Sequence, residues 1–151
     1  MRSDAEVVLG VFRAVEERDG EKLLELYSDD VQLREAPSLP YGGVVAGVAS
    51  LREQIESAPE DTWLGTWGPL QPTAAERRLD PRVIAEKDGE VVVLYHTRAV
   101  SPGGERFESP AIGLYEVCDG RLARAQMFHF DTQAINAFLE RARHETVDEA
   151  A

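Results

Sequence analysis

The sequence is poor in cysteine and in positive charge. Only Cys118 among its 151 residues is a cysteine, and 16 lysines and arginines stand against 28 aspartates and glutamates, a formal net charge of −12. One cysteine forms no intramolecular disulfide, and Cys118 is interpreted as a small apolar residue because no histidine lies beside it to activate a thiolate. Nucleic-acid binding requires clustered lysines and arginines, so we expect no nucleic acid partner.

Long apolar segments are also absent. No window approaches the roughly 18 uninterrupted apolar residues that a membrane span needs, and residues 1–6 do not begin a basic segment followed by an apolar run. We therefore expect no membrane partner and a cytoplasmic location. The three histidines, His96, His129 and His144, are scattered without the spacing of metal ligands, so we expect no metal.

The first third of the sequence has the periodicity of helices. Ser3 and Glu6 have capping-box spacing, and apolar residues then recur at helical intervals up to Asp19-Gly20, where the first helix is predicted to end. A second, shorter helix is predicted to stop at residues 28–30. A third is predicted over about residues 49–57, and the segment between them alternates like a strand.

The second half has the β-branched and aromatic runs of strands. Runs over residues 91–100, 106–117 and 122–130 are separated by glycine-containing turns, which predicts an antiparallel meander. Residues 83–86 and 63–67 are candidates for further strands.

Helices followed by a meander predict one α+β domain. In this arrangement helices cover one face of a curved antiparallel sheet and leave a conical hollow for a small molecule. A last helix is predicted from the apolar spacing within residues 135–142. We assign residues 1–144 to the domain and interpret residues 145–151 as a frayed C-terminal tail.

Several segments resemble known proteins. Arg18-Asp19-Gly20 between two helices, residues 26–31 entering a strand, Gly47 before a short helix, and residues 113–122 and 128–132 resemble SnoaL-like and ketosteroid-isomerase-like proteins of the nuclear transport factor 2 (NTF2)-like superfamily. The resemblance extends over about residues 5–140. It implies an NTF2-like cone with a central pocket, a fold that hosts isomerases, cyclases, epoxide hydrolases, dehydratases and non-enzymes.

The resemblance assigns functional positions one residue at a time. Ketosteroid isomerases place a carboxylate base just after the first strand, where Glu35 lies in this sequence. The tyrosine and protonated aspartate of their oxyanion hole correspond to Val11 and Gly113, which disfavours steroid isomerisation. The catalytic aspartate of polyketide cyclases corresponds to Met127 or Phe128, and the residues of limonene-type epoxide hydrolases are missing as well.

Three residues are candidates for catalysis. Glu35 shares strand parity with Val31 and Leu33, so a continuing strand would bury its carboxyl and disfavour the charged form, as a general base near neutral pH requires; alternatively, the strand ends and Glu35 bends to water. His129 follows the small residues of the last strand and would project into the hollow as a proton shuttle, or it is a satisfied core or rim histidine. Asp131 would support His129 or protonate a substrate, or it caps the last helix.

Eight further residues are candidates for substrate binding. The tyrosines offer hydroxyl donors, with one of them in a proline- and glycine-rich loop over the pocket, and the two tryptophans would hold a flat apolar ligand or belong to the core. A histidine in a strand of mixed pattern lies either in the pocket or on the outer face. With the positions that the resemblance assigns, the set is Val11, Tyr41, Trp63, Trp67, His96, Gly113, Tyr115 and Met127.

These features predict a cofactor-independent acid/base enzyme of isomerase, cyclase or dehydratase type that acts on a small, largely apolar oxygenated molecule. The alternative is a non-catalytic ligand-binding or dimeric interaction module. Phe128 and Phe130 share one face of the last strand and need a cover, which favours a homodimer in either case. Burial of Glu35 close to His129 would distinguish the enzyme from the binding module.

Overall fold

The computed structural model describes residues 2–150, with side chains up to residue 145. Within this range, helices at both ends of the chain enclose one six-stranded sheet, which confirms the predicted α+β class. The elements are α1 (Asp4–Glu16), α2 (Gly20–Leu26), β1 (Tyr27–Glu35), β2 (Gly43–Ala46), α3 (Val48–Ser57), α4 (Trp63–Trp67), a 3-10 turn (Gly68–Leu70), α5 (Ala74–Arg77), β3 (Arg82–Lys87), β4 (Glu90–Val100), β5 (Arg106–Cys118), β6 (Arg121–His129) and α6 (Thr132–Ala150).

The sheet has the strand order β2-β1-β6-β5-β4-β3. The meander β3–β6 is antiparallel as predicted, but β1 pairs parallel with β6, so the expectation of a fully antiparallel sheet is wrong at this pair. A parallel pair needs a long crossover, and most of the chain lies between these two strands. The register shifts in three of the five pairings, and such irregularities increase the local twist that curves a sheet.

The first two helices are set by their N-terminal caps. The capping box of Ser3 and Glu6 is present at the start of α1, which ends at Glu16. Asp19 does not end α1 but begins α2, because its side chain accepts the backbone N–H of Lys22 at 3.1 Å. Strand β1 begins at residue 27, earlier than predicted.

Residues 63–67 form a helix and not the strand proposed from the sequence. The side chain of Thr62 accepts the backbone N–H of Gly65 and caps α4. Trp63 and Trp67 are four residues apart, a spacing that places both on one side of a helix as readily as on one side of a strand. The buried environment of Trp67, which is 0% exposed, decides between the two.

Two apolar cores hold the helices against the sheet. The larger one joins α1, α2 and α3 to the concave face, and the smaller one packs Trp67 against Ile135 and Phe138 of α6. Helix α6 continues past residue 144 to Ala150, so the backbone is helical where the sequence suggested a tail; the side chains of that tail lie outside the described residues. None of the helices within residues 2–150 is long and apolar enough to span a membrane.

Candidate functional site

A cavity of about 690 Å³ lies between the concave face of the sheet and helices α1 to α4. This volume is in the range of small-molecule sites. Its wall is largely apolar, and all four tyrosines of the chain line it, namely Tyr27, Tyr41, Tyr95 and Tyr115. The cavity therefore presents several hydroxyl groups inside an apolar wall.

Glu35 and His129 form an ion-pair contact at the end of β1 and β6. Glu35 Oε1 lies 2.8 Å from His129 Nε2, although the two residues are 94 positions apart. The His129 side chain is 2% exposed and that of Glu35 is 11% exposed. Glu35 lines the cavity, whereas His129 is not among the lining residues and lies behind the carboxylate. The structure thus brings the two predicted residues together but does not place the imidazole in the hollow.

The second ring nitrogen of His129 indicates its tautomer. Nδ1 is buried and has no hydrogen-bond partner among the described residues. A proton on Nδ1 would be a buried donor without an acceptor, which costs more than a bare lone pair. The geometry therefore favours a hydrogen bond in which His129 donates its Nε2–H to Glu35 Oε1.

Three of the four tyrosines lie within electrostatic reach of this carboxylate. Burial raises the pKa of all four tyrosines, and the negative charge of Glu35 raises the pKa of Tyr41, Tyr95 and Tyr115 further. These phenols are therefore protonated at neutral pH and available as donors. The Tyr41 hydroxyl is buried beside the Trp67 indole, whose N–H partly offsets the rise of the Tyr41 pKa, and its own O–H has no acceptor among residues 2–145.

Gly113 explains how Tyr115 reaches the cavity. A Cβ atom at Gly113 would lie 2.3 Å from the Tyr115 hydroxyl oxygen and 2.4 Å from two ring carbons. The phenol ring therefore lies directly over the glycine, and its other side packs edge-on against Phe12 with centroids 5.6 Å apart. Gly113 is thus covered by a phenol.

Four of the other predicted residues line the same cavity. Val11 and Met127 contribute apolar wall, Tyr41 lies over it, and Trp63 of α4 lines it near Arg18.

Three predicted residues lie elsewhere. Trp67 belongs to the smaller core and stacks on Phe107 and Phe138, so a role in ligand stacking is wrong for it. His96 lies on the outer face of β4, where its Nδ1 is 3.4 Å from Glu108 Oε1, because the parity of β4 turns Tyr95 inward instead. Asp131 is exposed and accepts the backbone N–H of Ala134 at 3.0 Å, which is the helix-cap alternative.

Tyr27, Tyr95 and Arg18 are among the cavity residues that the predicted site did not include. Tyr27 and Tyr95 share strand parity with buried neighbours, a signal that the sequence already contained. Arg18 also lines the cavity. The sequence marks it only as a positively charged residue next to Asp19-Gly20 in a chain of net negative charge. Within residues 2–145 there is no cluster of three or more His, Cys, Asp or Glu side chains that could hold a metal ion.

Comparisons with known proteins agree with this architecture. A search of curated protein sequences finds no match. Among solved structures, the crystal structure of TerC co-crystallised with polyporic acid has a TM-score of 0.73 and 23% identity, covering 91% of this chain and 98% of that one. Bal32a from a soil-derived mobile gene cassette has a TM-score of 0.69 and 19% identity, covering 90% and 95%.

A third solved structure is a protein from Xanthomonas campestris pv. campestris that is provisionally assigned as a polyketide cyclase. It has a TM-score of 0.65 and 19% identity over 90% of this chain and 96% of that one. The TM-scores over most of both chains show a shared fold, the NTF2-like fold. The family of SnoaL-like domains matches residues 8–125, which is most of the chain. The chain therefore belongs to the SnoaL-like domain family.

Proposed function

We propose that this protein is a cofactor-independent acid/base enzyme that acts on a small, largely apolar oxygenated molecule, with Glu35 as the proton-transferring group. The observation that carries the proposal is the contact of 2.8 Å between Glu35 Oε1 and His129 Nε2 at the wall of the cavity. The comparison with a provisionally assigned polyketide cyclase supports the cyclase variant of this chemistry.

The reaction that this geometry supports begins with abstraction of an acidic C–H proton next to a carbonyl group. Glu35 takes the proton, and His129 acts as a positioning residue because it holds one carboxylate oxygen from behind. Removal of the proton moves negative charge to the carbonyl oxygen, and donors aimed at that oxygen lower the barrier. The resulting enol or enolate can then be reprotonated at another carbon, can attack a second carbonyl, or can expel a hydroxyl group.

The phenols supply the donors for the developing oxyanion. Tyr41 carries a buried hydroxyl whose O–H has no acceptor within residues 2–145, and Tyr115 presents its hydroxyl over Gly113. Both are protonated at neutral pH, because burial and the charge of Glu35 raise the pKa of each phenol. They replace the tyrosine and aspartate pair that the sequence lacks.

The test uses 2-tetralone, a flat ketone with exchangeable protons beside its carbonyl group. Loss of the α-proton signals in D₂O is followed by NMR with the native protein and with Glu35→Gln. General-base catalysis contributes roughly 10²–10⁴-fold, so we expect the variant to lose exchange activity by about that factor. Glu53→Gln, which removes an exposed carboxylate at the same cavity, is the matched control and retains activity.

Binding of 2-tetralone is measured in parallel by calorimetry. Binding without accelerated exchange would contradict catalysis by Glu35 and would support a non-catalytic ligand-binding module. Equal exchange rates with native protein and Glu35→Gln would contradict the assignment of the base.

The outer face of the sheet supports a second proposal, that two copies of the chain pack together. Ile112 pairs with Leu94 on one side and with Phe128 on the other, which forms an apolar row across three strands. Ile112 is 43% exposed, Phe128 51% and Phe130 83%. An exposed apolar row of this kind is a liability in a monomer, and a second copy would cover it.

A further inference from the structure

Arg18 is the one positively charged side chain among the cavity-lining residues of the described chain. The other charged lining residues are acidic. Three of them, Asp19, Glu53 and Asp61, are exposed to solvent, and the fourth is Glu35, which His129 holds. Within residues 2–145, no carboxylate lies within ion-pair distance of Arg18, although the chain has 28 acidic residues.

The guanidinium of Arg18 is fixed in place by the fold. Its Nη1 donates to the carbonyl oxygen of Val15 at 2.7 Å, and its Nη2 donates to Gln71 Oε1. Gln71 is 1% exposed, and its own Nε2 donates to the carbonyl oxygen of Arg98 at 2.9 Å. The backbone of Arg18 has φ of 57°, a left-handed conformation that is costly for a residue with a side chain. The hydrogen bonds to the Val15 carbonyl and to the buried Gln71 amide therefore keep this charge oriented.

The surroundings of Arg18 leave its charge uncompensated. Burial, and after it the charge of Arg77, lower the pKa of the Arg18 guanidinium. Arg77 is close because its Nε donates to the carbonyl oxygen of Gln71 at 3.0 Å. Two of the five N–H donors of Arg18 are used by protein acceptors, so donors remain for an anionic oxygen.

An aromatic surface lies next to this charge. The guanidinium carbon of Arg18 is 5.5 Å from the centre of the Trp63 ring, and Trp63 also lines the cavity. A guanidinium at this distance from an indole is held by cation–π attraction. The guanidinium thus lies over one face of the Trp63 ring, and the indole and the positive charge form one part of the cavity wall.

We propose that Arg18 and Trp63 form an anion subsite, and that the molecule bound in this cavity is a flat aromatic acid. Its acidic oxygens lie on Arg18 and its ring lies against Trp63. This rests on the proposed function in one respect: Glu35 repels the acidic end, so the uncharged reactive carbonyl is the end that faces Glu35. The unpaired guanidinium therefore determines both the substrate class and its orientation.

The test compares two ligands of the same shape, 2-naphthoate and 2-naphthamide, by isothermal titration calorimetry. A charge-assisted hydrogen bond to Arg18 is available only to the acid, so we expect native protein to bind 2-naphthoate about tenfold or more tightly than 2-naphthamide. Arg18→Gln should bring the two affinities close together by weakening the acid. Arg13→Gln, which removes an exposed arginine of α1, is the control and leaves the ratio unchanged.

A second variant covers the case in which Arg18→Gln does not fold. Trp63→Leu should weaken both ligands by a similar factor and keep their ratio, because it removes the ring contact while the hydrogen bonds to Val15 and Gln71 still hold the guanidinium in the cavity wall. The proposal is overturned if native protein binds the amide as tightly as the acid, if neither ligand binds, or if folded Arg18→Gln keeps the preference.

The outcome is separable from that of the proposed function. Glu35→Gln should retain or increase the preference for 2-naphthoate, because it removes a repelling charge from the cavity. If the protein prefers 2-naphthoate over 2-naphthamide but does not accelerate proton exchange of 2-tetralone, only the proposed catalysis is refuted. Exchange that depends on Glu35 together with no preference for the acid would refute the anion subsite alone.

Discussion

Replacing Gly113 by alanine tests whether the phenol of Tyr115 is positioned by the absence of a side chain beneath it. A Cβ atom at residue 113 would lie 2.3 to 2.4 Å from three atoms of the phenol, whereas ordinary contact begins at 3.4 Å. The ring must therefore move by about 1 Å. It cannot do so freely, because Phe12 packs against both Tyr115 and Tyr95, with centroid distances of 5.6 and 5.2 Å.

The expected cost follows from two opposing effects. Overpacking of a filled core costs roughly 1–3 kcal/mol. The backbone of Gly113 lies outside the left-handed region, so alanine also restricts the unfolded chain and stabilises the fold by about 0.4–1 kcal/mol. We expect Gly113→Ala to lower the free energy of unfolding by about 1–2 kcal/mol.

The assay is urea denaturation followed by circular dichroism, carried out as a double-mutant cycle with Tyr115→Leu. Without the ring, Gly113→Ala should be neutral or stabilising, so the coupling free energy between the two sites should be about 2 kcal/mol. A cost that is the same in both backgrounds would show that the alanine is disfavoured for a reason other than the ring. No cost in the native background would refute the packing argument altogether.

Three further perturbations have definite expected results. Burial raises the pKa of every tyrosine above the usual 10.0, so the neutral phenols stabilise the fold fully below pH 10.0 and this stabilisation is lost as the pH rises further. Tyrosinate absorbance should therefore appear only above pH 10.0 and together with unfolding. Tyrosinate absorbance in the folded chain below pH 10.0 would contradict this. Asp131→Ala should lower the free energy of unfolding by about 0.5–2 kcal/mol because it removes the cap of α6, and Asp131→Asn should restore most of it in the same urea titration. Phe128→Ser should convert a dimer to a monomer in analytical ultracentrifugation, while Gln126→Ser on the same face should not; a dimer that survives Phe128→Ser would count against the outer face as its interface.

Local sequence patterns were sufficient to predict most of the helices and strands. Ser3 and Glu6 satisfy the start of α1 within four residues, and the turns between β3, β4, β5 and β6 are specified by their own glycines and their neighbours. Such interactions are short-range, so the sequence around them contains the information. Trp63–Trp67 was assigned to the wrong class because its spacing suits a helix and a strand equally, and the cap at Thr62 and the burial of Trp67 decided between them.

The site could be predicted only in part, because sequence patterns contain information on short-range interactions only. The sequence predicted that Glu35 would face inward, because parity along one strand is a local property. It could not show that His129 lies behind Glu35 and outside the cavity. That depends on the register of β1 against β6, in which Arg34 faces Gln126, and on the end of β6 passing beneath the carboxylate.

What the sequence alone determined about this protein is therefore its α+β class, its SnoaL-like resemblance and the residue types available for chemistry. Only the tertiary structure decided which of them meet. It turned His96 outward, placed Trp67 in the second core, and gathered all four tyrosines, with Glu35 and Arg18, around one cavity. The physical reason is that these contacts join residues far apart in the chain, and their geometry is set by strand register and core packing together.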